Sequence, residues 1–308
     1  MELIRGLHNL ERQPTPCVAT IGKFDGVHCG HQQILAAVTA KAKELAVPSS
    51  IIVFEPDPQE YFAPQNSPAR LTRFREKWQL LEQVGIDKVV CMSFNRRFAS
   101  MPAPDFIHKV LIEKLRVAHL IVGDDFRFGA GRTGDYALLS ELGAGQFGVQ
   151  TTQSIKQGTE RISSSLIRTT LDEGKLSKAK QLLGRDYAIS GTVVHGQKLG
   201  RQLGFPTLNV PLLRRQSPLA GVFVVAIDGI SERTQWGVAN VGSRPTIGGS
   251  KPRVEAHVFD FDGDCYGRKV EITFLHKIRD EKKFSSVDEL AEQIQLDSEA
   301  ARHFLKQQ

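Results

Sequence analysis

Short runs of β-branched residues alternate with amphipathic segments from the start of the chain to about residue 184. The amphipathic segments repeat their apolar residues every three to four positions, which is typical of helices, whereas the β-branched runs are typical of buried strands. Parallel strands need a crossover helix between them, so this alternation strongly constrains the fold. It predicts a mostly parallel sheet with helices on both faces. The predicted strands are CVATIG, SIIVF, DKVVCMSF, HLIVG and FGVQTT.

Beyond residue 184 the pattern changes to short alternating strands separated by turn residues. The pair Asp228-Gly229 in GVFVVAIDGISERTQWGVANVG is typical of a β-hairpin. The stretch VEAHVFDFDGDCYGRKVEITFL predicts two further strands around an Asp/Gly-rich turn. This half therefore predicts a small antiparallel β-barrel or closed sheet.

The chain ends in a predicted helix, because Ser286 and Glu289 form a capping-box pattern before an apolar stripe. A length of 308 residues is sufficient for two domains. We therefore predict a first domain of residues 1–184 and a second of residues 185–308.

Charge and cysteine content limit the classes of function. A net charge of +6 suits anionic ligands, but the Lys and Arg residues form no dense block, which disfavours a nucleic-acid-binding arm. The N-terminal residues lack the apolar core of a signal peptide, and no apolar run approaches membrane-spanning length. The cysteines are far apart and form no CxxC pair, which argues against a zinc ribbon or a disulfide framework and favours the cytoplasm. They are Cys17, Cys29, Cys91 and Cys265.

His28 and His31 stand three apart in GKFDGVHCGH, between a predicted strand and a predicted helix. A zinc site needs three or four ligands, and one loop could hardly present Asp25 and Cys29 together with both histidines in tetrahedral geometry. A phosphate site demands less, because glycines allow close approach and the helix start offers unpaired N–H groups. A glycine turn with surface histidines is the structural alternative.

Three further segments carry polar or aromatic side chains at the ends of predicted elements. RISSSLIRTTLDEG places serines at a helix start and Arg168 a turn later, which fits either an ordinary helix cap or a second phosphate clamp. VGDDFRFGAG and VFEPDPQEYF each follow a strand with aromatic residues, which could hold a planar aromatic ligand or form the core of a lid.

The second half contains no GxxxxGK[ST] sequence, so it has no Walker motif. Its glycine-rich stretch SGTVVHGQKLGRQLGFPTLNV could be a simple hairpin. In FPTLN, however, Thr207 and Asn209 lie two apart on a strand and share a face, and two neutral oxygen ligands suit Mg²⁺. Glu255 alternates with apolar neighbours in RVEAHVFDF, but its spacing alone does not distinguish a functional carboxylate from a solvated one.

The motifs GKFDGVHCGH, FEPDP, VGDDFRFG and ISSSLIR occur in an order that resembles the adenylyltransferase half of the prokaryotic bifunctional riboflavin kinase/FAD synthetases. The resemblance implies an α/β nucleotidyltransferase domain with a Rossmann-like parallel sheet. It implies that ATP is held by the catalytic residues His28, His31 and Arg168 together with Gly22, Phe24, Asp25, Gly30 and Ser164. It places the flavin at Phe54, Pro56, Phe62, Asp125 and Phe128. Lys23, Cys29 and Asp57 depart from the family pattern.

The segments GRQLGFPTLN, GVFVV, GVANVGSRPT, VEAHVFDFDGDCYG and IRDEKKFSSVDELAEQI resemble the riboflavin kinase module of the same family, which is a small β-barrel. The resemblance makes Glu255 the base for the ribityl 5′-hydroxyl and makes Thr207 and Asn209 ligands of Mg²⁺. It further implies ATP contacts at Gly196, Gly200 and Arg201 and a flavin or phosphate contact at Arg279.

The two resemblances together predict an enzyme that phosphorylates riboflavin to FMN and then adenylylates FMN to FAD, with ATP as co-substrate and Mg²⁺ as cofactor. The expected partners are small molecules, with no nucleic acid and no membrane, and the expected state is a monomer or weak homo-oligomer. Two alternatives are a nucleotidyltransferase for another substrate and a flavin-sensing or RNA-binding regulator. A kinase module argues against the first alternative, and the intact site residues argue against the second.

Overall fold

The structure is a computed structural model that describes residues 1–196, 200, 204–242 and 252–307. The chain divides into two compact units. The first unit comprises Met1–Pro68 and Lys77–Ser163, and the second comprises Ala69–Glu76 and Ser164–Gln308. The predicted domain boundary between residues 184 and 185 concerns the functional modules and stays a prediction.

A six-stranded sheet, ordered β1-β4-β3-β2-β5-β6 and parallel throughout, forms the centre of the first unit. Its inner strands β2 and β3 are buried along most of their length, which shows that both faces of the sheet are covered, as the parallel pattern predicts. The strand order reverses between β2 and β5, and ligands of such sheets bind outside the carboxyl ends of the strands at this point. The strands are β1 (Glu2–Arg5), β2 (Cys17–Ile21), β3 (Ser49–Glu55), β4 (Lys88–Ser93), β5 (Val117–Gly123) and β6 (Gly148–Thr152), and a separate hairpin pairs β7 (Lys156–Gln157) with β8 (Glu160–Arg161).

Helices connect these strands. The predicted stripe along the first helix comprises Ile34, Leu35, Val38, Ala42 and Leu45. Leu35, Val38 and Ala42 are buried, Ile34 is partly buried, and Leu45 is exposed. The second predicted stripe, from Phe106 to Leu115, is also buried, although a π-helical segment replaces much of the regular helix. The helices are α1 (Cys29–Glu44), α2 (Pro58–Phe62), α3 (Phe74–Gln83), α4 (Arg96–Ala99), α5 (Ala103–Phe106) followed by the π-helical Ile107–Ile112, a 3₁₀ turn at Ala130–Arg132, and α6 (Tyr136–Leu142).

The second unit contains α7 (Ser164–Asp172), α8 (Leu176–Leu183) and a six-stranded antiparallel sheet. The strand order is β10-β13-β12-β11-β14-β9. An antiparallel bridge between Val194 and Asn209 joins the chain after β9 back to β10, which closes the sheet into the predicted barrel. The strands are β9 (Tyr187–Thr192), β10 (Thr207–Pro211), β11 (Gly221–Asp228), β12 (Gln235–Val241), β13 (Arg253–Val258) and β14 (Lys269–Arg279).

Strand pairing in the barrel follows sequence order only in part. The hairpin predicted at Asp228-Gly229 is confirmed, because β11 pairs with β12. The two strands predicted around the Asp/Gly-rich turn exist, but they do not pair with each other. Instead, β13 lies between β10 and β12, and β14 lies between β11 and β9.

The C-terminal helix α9 (Val287–Lys306) begins where the capping pattern predicts. Ser286 accepts a hydrogen bond from the backbone N–H of Glu289 at 3.1 Å. The Glu289 carboxylate accepts from the N–H and hydroxyl of Ser285, one residue earlier than a standard capping box. The helix packs on the outer face of the barrel through an apolar cluster that includes Val224, Val238, Phe259 and Ala301.

Candidate active sites

Buried side chains hold the turn between β2 and α1 in place. Phe24 and Val27 have φ values of 48° and 40°, a left-handed conformation that is costly for residues with a Cβ. Both side chains are almost completely buried, which maintains this backbone. A Cβ on Gly22 would lie 2.9 Å from the Phe24 ring, so only glycine at this position leaves room for the ring. Asp25 is buried in the same turn, and the loop is therefore preorganised.

His28 occupies the N-cap position of α1 and is buried. Its Nδ1 accepts a hydrogen bond from the backbone N–H of His31 at 3.3 Å. A neutral imidazole carries one proton, so this contact puts the proton of His28 on Nε2 and makes that atom a donor. A Cβ on Gly30 would lie 3.2 Å from the His28 ring, which explains the glycine in the motif.

The rings of His28 and His31 stack, with centroids 3.6 Å apart and planes inclined by 17°. Burial, reinforced by His28 and by the Lys77 ammonium, holds the pKa of His31 well below its usual range. His31 is therefore neutral at pH 7 and can serve as a hydrogen-bond donor or acceptor rather than as a cation. Its buried Nδ1 makes no hydrogen bond to any described residue.

The start of the serine motif lies beside the first motif in the first unit. The carbonyl oxygen of Ile162 is 3.8 Å from the position that a Cβ on Gly30 would occupy. Ser164 begins α7, which belongs to the second unit. Within that unit, Arg168 Nε donates a hydrogen bond to the carbonyl of Ala69.

Aromatic rings cluster beyond the carboxyl ends of β3 and β4. Phe54 and Phe62, both predicted flavin residues, each contact Phe94, with ring centroids 5.9 Å and 5.7 Å away. Tyr61 joins the same cluster at 5.5 Å from Phe94. The Phe62 side chain is 68% exposed, so its ring is accessible to a ligand.

Sequence reasoning missed Phe94 and Phe98, which connect the predicted aromatic residues. Phe98 contacts Phe54 at 5.5 Å and Phe106 at 6.0 Å, and Phe106 contacts Phe128 at 5.7 Å. Phe128 itself is buried in the core of the first unit. The available signal was the segment SFNRRF directly after β4, the strand that neighbours β3 in the sheet.

Asp125 lies in the loop after β5 and forms an ion pair with Arg161 at 2.9 Å. Arg161 also lies 3.6 Å from Asp124, whose pKa is lowered mainly by a hydrogen bond from Ser154. Both carboxylates are exposed, so the pairs add little stability. They do connect the loop after β5 to the residue that precedes ISSSLIR.

The FEPDP segment contains a cis peptide bond between Glu55 and Pro56. Asp57 caps α2 by accepting from the N–H of Gln59 at 2.8 Å. It also pairs with Lys23 at 2.9 Å. Lys23 and Asp57 are two of the three positions that depart from the family pattern, and in this chain they contact each other.

In the barrel, Gly196 and Gly200 lie close to the side chains of the FPTLN strand. A Cβ on Gly196 would lie 2.4 Å from the side-chain nitrogen of Asn209. A Cβ on Gly200 would lie 3.4 Å from the hydroxyl of Thr207. The two glycines thus leave space over the two polar side chains. The predicted ATP contact Arg201 lies outside the described residues.

Glu255 stands opposite Asn209 in β10 and opposite Asn240 in β12. Cross-strand partners share a face of the sheet, so these three side chains project together. The adjacent Val254 and Ala256 are buried, which places Glu255 on the outward face of the barrel. Its side chain is 46% exposed and lies 4.0 Å from Arg253.

Arg279 ends β14 and forms an ion pair with Asp297 of α9 at 2.7 Å. Its Nε and Nη2 atoms both donate to that carboxylate, which is almost fully buried. In this structure the side chain therefore joins the helix to the barrel. A contact to flavin or phosphate stays a prediction.

No group of three or more His, Cys, Asp or Glu side chains in the described ranges converges as a metal site would require. Within the part of the chain that the structure describes, the helices are all too short or too polar to cross a membrane.

Comparison with family models matches both halves of the chain. Residues 10–166 match the model described as FAD synthetase. Residues 183–305 match the model described as riboflavin kinase. The first range contains the histidine motif and Ser164 but ends two residues before Arg168, and the second range contains FPTLN and Glu255.

Curated relatives match along the whole chain. A bifunctional riboflavin kinase/FMN adenylyltransferase from Escherichia coli K12 is 48% identical and covers 99% of this chain and 98% of its own. The relative of that name from Pseudomonas fluorescens is 46% identical, covering 98% and 97%. Among solved structures, a protein named a macrolide-efflux protein from Streptococcus pneumoniae superposes with a TM-score of 0.83 at 29% identity, covering 98% of this chain and 99% of its own.

Proposed function

The chain belongs to the family of bifunctional riboflavin kinase/FMN adenylyltransferases, and from that premise we propose which residues carry out each reaction. The protein phosphorylates riboflavin with ATP to give FMN, and it adenylylates FMN with a second ATP to give FAD and pyrophosphate. The observation that carries this assignment is the agreement of two family models and full-length relatives on both activities.

In the adenylylation step, the FMN phosphate attacks the α-phosphorus of ATP, and pyrophosphate leaves. A phosphate is already ionised near pH 7, so the step needs positioning and charge stabilisation rather than a base. We assign the ATP phosphates to His28, His31, Ser164 and Arg168. The Nε2 proton of His28 and the preorganised turn around Phe24 support this assignment. Backbone and side-chain contacts from Gly22, Asp25 and Gly30 complete the proposed ATP site.

We assign the isoalloxazine ring of FMN to the aromatic cluster beyond β3. Phe54, Pro56 and Phe62 are its predicted contacts, with Asp125 and Phe128 on the loop after β5. The contact of the exposed Phe62 with Phe94 supports a stacking surface here. Phe94 is added to the proposal because it touches both Phe54 and Phe62.

In the kinase step, the ribityl 5′-hydroxyl attacks the γ-phosphorus of ATP. An alcohol, unlike a phosphate, must lose a proton as it attacks, so a base is required. We assign this role to Glu255. Its exposure on the outward face and its position opposite Asn209 support the assignment. Gly196, Gly200 and Arg201 are the proposed ATP contacts.

Thr207 and Asn209 fit a magnesium site that also includes ATP phosphates. Both offer neutral oxygen atoms on one face of β10, and Mg²⁺ usually takes few protein ligands and completes its shell with water and phosphates. The space that Gly196 and Gly200 leave over these side chains supports the fit. When bound, the ion would neutralise phosphate charge, while Glu255 accepts the proton from the hydroxyl.

We further propose that the functional modules divide between residues 184 and 185. The protein is proposed to work in the cytoplasm on small molecules as a monomer or weak homo-oligomer, without nucleic acid. The Lys and Arg residues are dispersed along the chain, which supports the proposal that the protein does not bind nucleic acid. Size-exclusion chromatography with light scattering, with and without added RNA, tests both the oligomeric state and the absence of RNA binding.

The activity test is incubation with riboflavin, ATP and Mg²⁺, followed by chromatographic separation of FMN and FAD. We expect FMN to appear first and FAD to follow. Supplying FMN in place of riboflavin isolates the adenylylation step, and omitting Mg²⁺ tests the cofactor. If riboflavin gives FMN but no FAD forms, the adenylyltransferase assignment is wrong. If supplied FMN gives FAD but riboflavin gives no FMN, the kinase assignment is wrong.

A further inference from the structure

We propose that Arg214 of the barrel is a positioning residue for adenylylation, acting on Arg168 through the segment Ala69–Glu76. Arg214 follows β10, in the module that phosphorylates riboflavin. The inference rests on the proposed role of Arg168 as a phosphate ligand. It predicts that a substitution in the kinase module weakens the other reaction.

The first observation is that Ala69–Glu76 belongs to the second unit, although it lies in the N-terminal half of the sequence. Arg214 and Glu76 form a buried ion pair in this unit, with side chains 1% and 8% exposed. Arg214 Nη2 donates to both carboxylate oxygens of Glu76, at 3.0 Å and 2.8 Å. Both bonds come from one nitrogen, and Nη1 is bound elsewhere, so the planar guanidinium group is fixed at two of its nitrogens.

Arg214 also binds the main chain of the segment. Its Nη1 donates to the carbonyl of Arg70 at 3.0 Å and to that of Leu71 at 3.2 Å. The same nitrogen lies 2.9 Å from the hydroxyl of Tyr187, which itself donates to the Leu71 carbonyl. One barrel side chain therefore holds two successive carbonyl groups of the segment.

Glu76 also attaches the segment Ala69–Glu76 to the barrel, through β9. Its carboxylate accepts from the backbone N–H of Ser190 in β9 at 3.1 Å and from that of Arg73 at 2.7 Å. Arg73 donates in turn to the carbonyl of Ser190. The segment is thus bound to the barrel at both its middle and its end.

The beginning of the segment contacts the proposed phosphate ligand. Arg168 Nε donates to the carbonyl of Ala69, the residue before the first carbonyl that Arg214 holds. A hydrogen bond at Nε restrains the plane of a guanidinium group, because the group is rigid and planar. The contacts therefore run from Arg214 to the segment and from the segment to Arg168.

The test uses the intact chain and compares both activities in each variant. The double variant E76L/R214M replaces the buried pair by apolar residues of similar size, a change that often preserves stability. It removes the Arg214 donor to the Arg70 and Leu71 carbonyls, while the Tyr187 hydroxyl remains as a donor to Leu71. We expect kcat/KM for adenylylation to fall on the order of tenfold, with a raised KM for ATP, while riboflavin phosphorylation stays within about twofold of wild type.

Three controls separate positioning from stability. D186N removes an exposed ion pair with Lys180 in the same unit, and both activities should be unchanged. I272V loosens the barrel interior without touching the segment, and its melting temperature provides the reference for a general loss of stability. R214K retains the charge but has one nitrogen in place of Nη1 and Nη2, so it cannot bind Glu76 and both carbonyls as arginine does, and its adenylylation rate should fall between those of wild type and E76L/R214M.

R168Q and its combination with E76L/R214M decide the mechanism. If Arg214 acts through Arg168, the combined variant should be no slower in adenylylation than R168Q alone. Additive losses, parallel loss of both activities, or unchanged adenylylation in E76L/R214M would each overturn the inference. Unchanged adenylylation in R168Q itself would remove the proposed role of Arg168, and this inference with it, while leaving the two activities assigned.

Discussion

The two histidines at the start of α1 show how burial determines the protonation state of a side chain. His28 caps the helix through Nδ1, which leaves its proton on Nε2, and His31 stacks on it at 3.6 Å. Two imidazolium rings at this distance would repel each other, so the stack requires that at least one ring is neutral. Neutral rings can still donate to phosphate, and they avoid the desolvation cost of a buried charge.

The lowered pKa of His31 predicts a pH-dependent stability. In the unfolded chain a histidine titrates near 6.5, whereas burial puts the pKa of folded His31 well below that value. Between the two values the unfolded state binds more protons, so the free energy of unfolding should decrease as the pH falls below about 6.5. Chemical denaturation at several pH values should show this decrease in the wild type and a smaller one in H31N.

His119 provides a matched control, because burial also lowers its pKa. H119Q should reduce the pH dependence independently of H31N, and the two effects should add, since the residues are not in contact in the described structure. Equal pH dependence in wild type and H31N would show that the pKa of His31 is the same in the folded and unfolded states, which would contradict the lowered value.

Glu255→Gln tests the proposed base of the kinase step. The amide retains shape and hydrogen bonding, so apparent riboflavin affinity should change little, but kcat should fall by ~10²–10⁴-fold. Adenylylation of supplied FMN should be unaffected, because its nucleophile needs no base. If Glu255 is only a solvated surface carboxylate, the substitution should change the free energy of unfolding by about 0.5 kcal/mol or less and leave the kinase rate unchanged. Stopped assays of both reactions, with a melting curve to confirm folding, distinguish the two outcomes.

At the scale of elements, the barrel site depends on two glycines that lie close to a strand. A Cβ on Gly196 would clash with the Asn209 side chain, and a Cβ on Gly200 would clash with the Phe205 carbonyl oxygen and contact Thr207. The first unit offers a comparable arrangement, in which the pair Lys23–Asp57 connects the turn after β2 to α2. Both contacts join segments that are separate in sequence.

Gly196→Ala should weaken riboflavin phosphorylation. Its Cβ would lie 2.4 Å from the Asn209 nitrogen, so the Asn209 side chain or the glycine stretch must move. We expect a lower kinase rate with a higher Mg²⁺ requirement, and unchanged conversion of FMN to FAD. Gly242→Ala is the steric control, because its Cβ would meet only the Glu281 carboxylate at 3.5 Å. Equal Mg²⁺ dependence in both variants would contradict the proposed metal site.

At the scale of the whole molecule, the two proposed sites use different chemistry on different frameworks. One lies at the carboxyl ends of a parallel sheet and needs no base, and the other lies on a barrel and needs one. The activities should therefore be separable by single substitutions.

His28→Asn and Thr207→Ala test this separation. Asparagine is a good N-cap residue, so H28N removes the imidazole donor while keeping α1 capped. We expect H28N to lose FAD formation and keep FMN formation, and T207A to do the reverse with supplied FMN. Chromatographic assays of both products measure the result, and a parallel loss of both activities in folded variants would refute the two-site assignment.

Local sequence patterns determined much of this protein. The alternation of β-branched runs and apolar stripes was sufficient for the parallel sheet, because a strand or helix depends mainly on neighbouring residues. The motifs that identified the family are also short runs of consecutive residues, so their identity and order can be read from the sequence. The caps at His28 and Ser286 also follow from residues within three positions of each other.

Tertiary structure decided which distant residues meet. Strand pairing brought Glu255 opposite Asn209, although the two residues lie on strands that are not consecutive in the sequence. Packing placed Phe94 between Phe54 and Phe62, and it grouped the segment Ala69–Glu76 with the barrel that contains Arg214. Such contacts arise from burial and from the pairing of polar groups that are distant in the sequence, as Arg214 and Glu76 are, and no local period in the sequence records them.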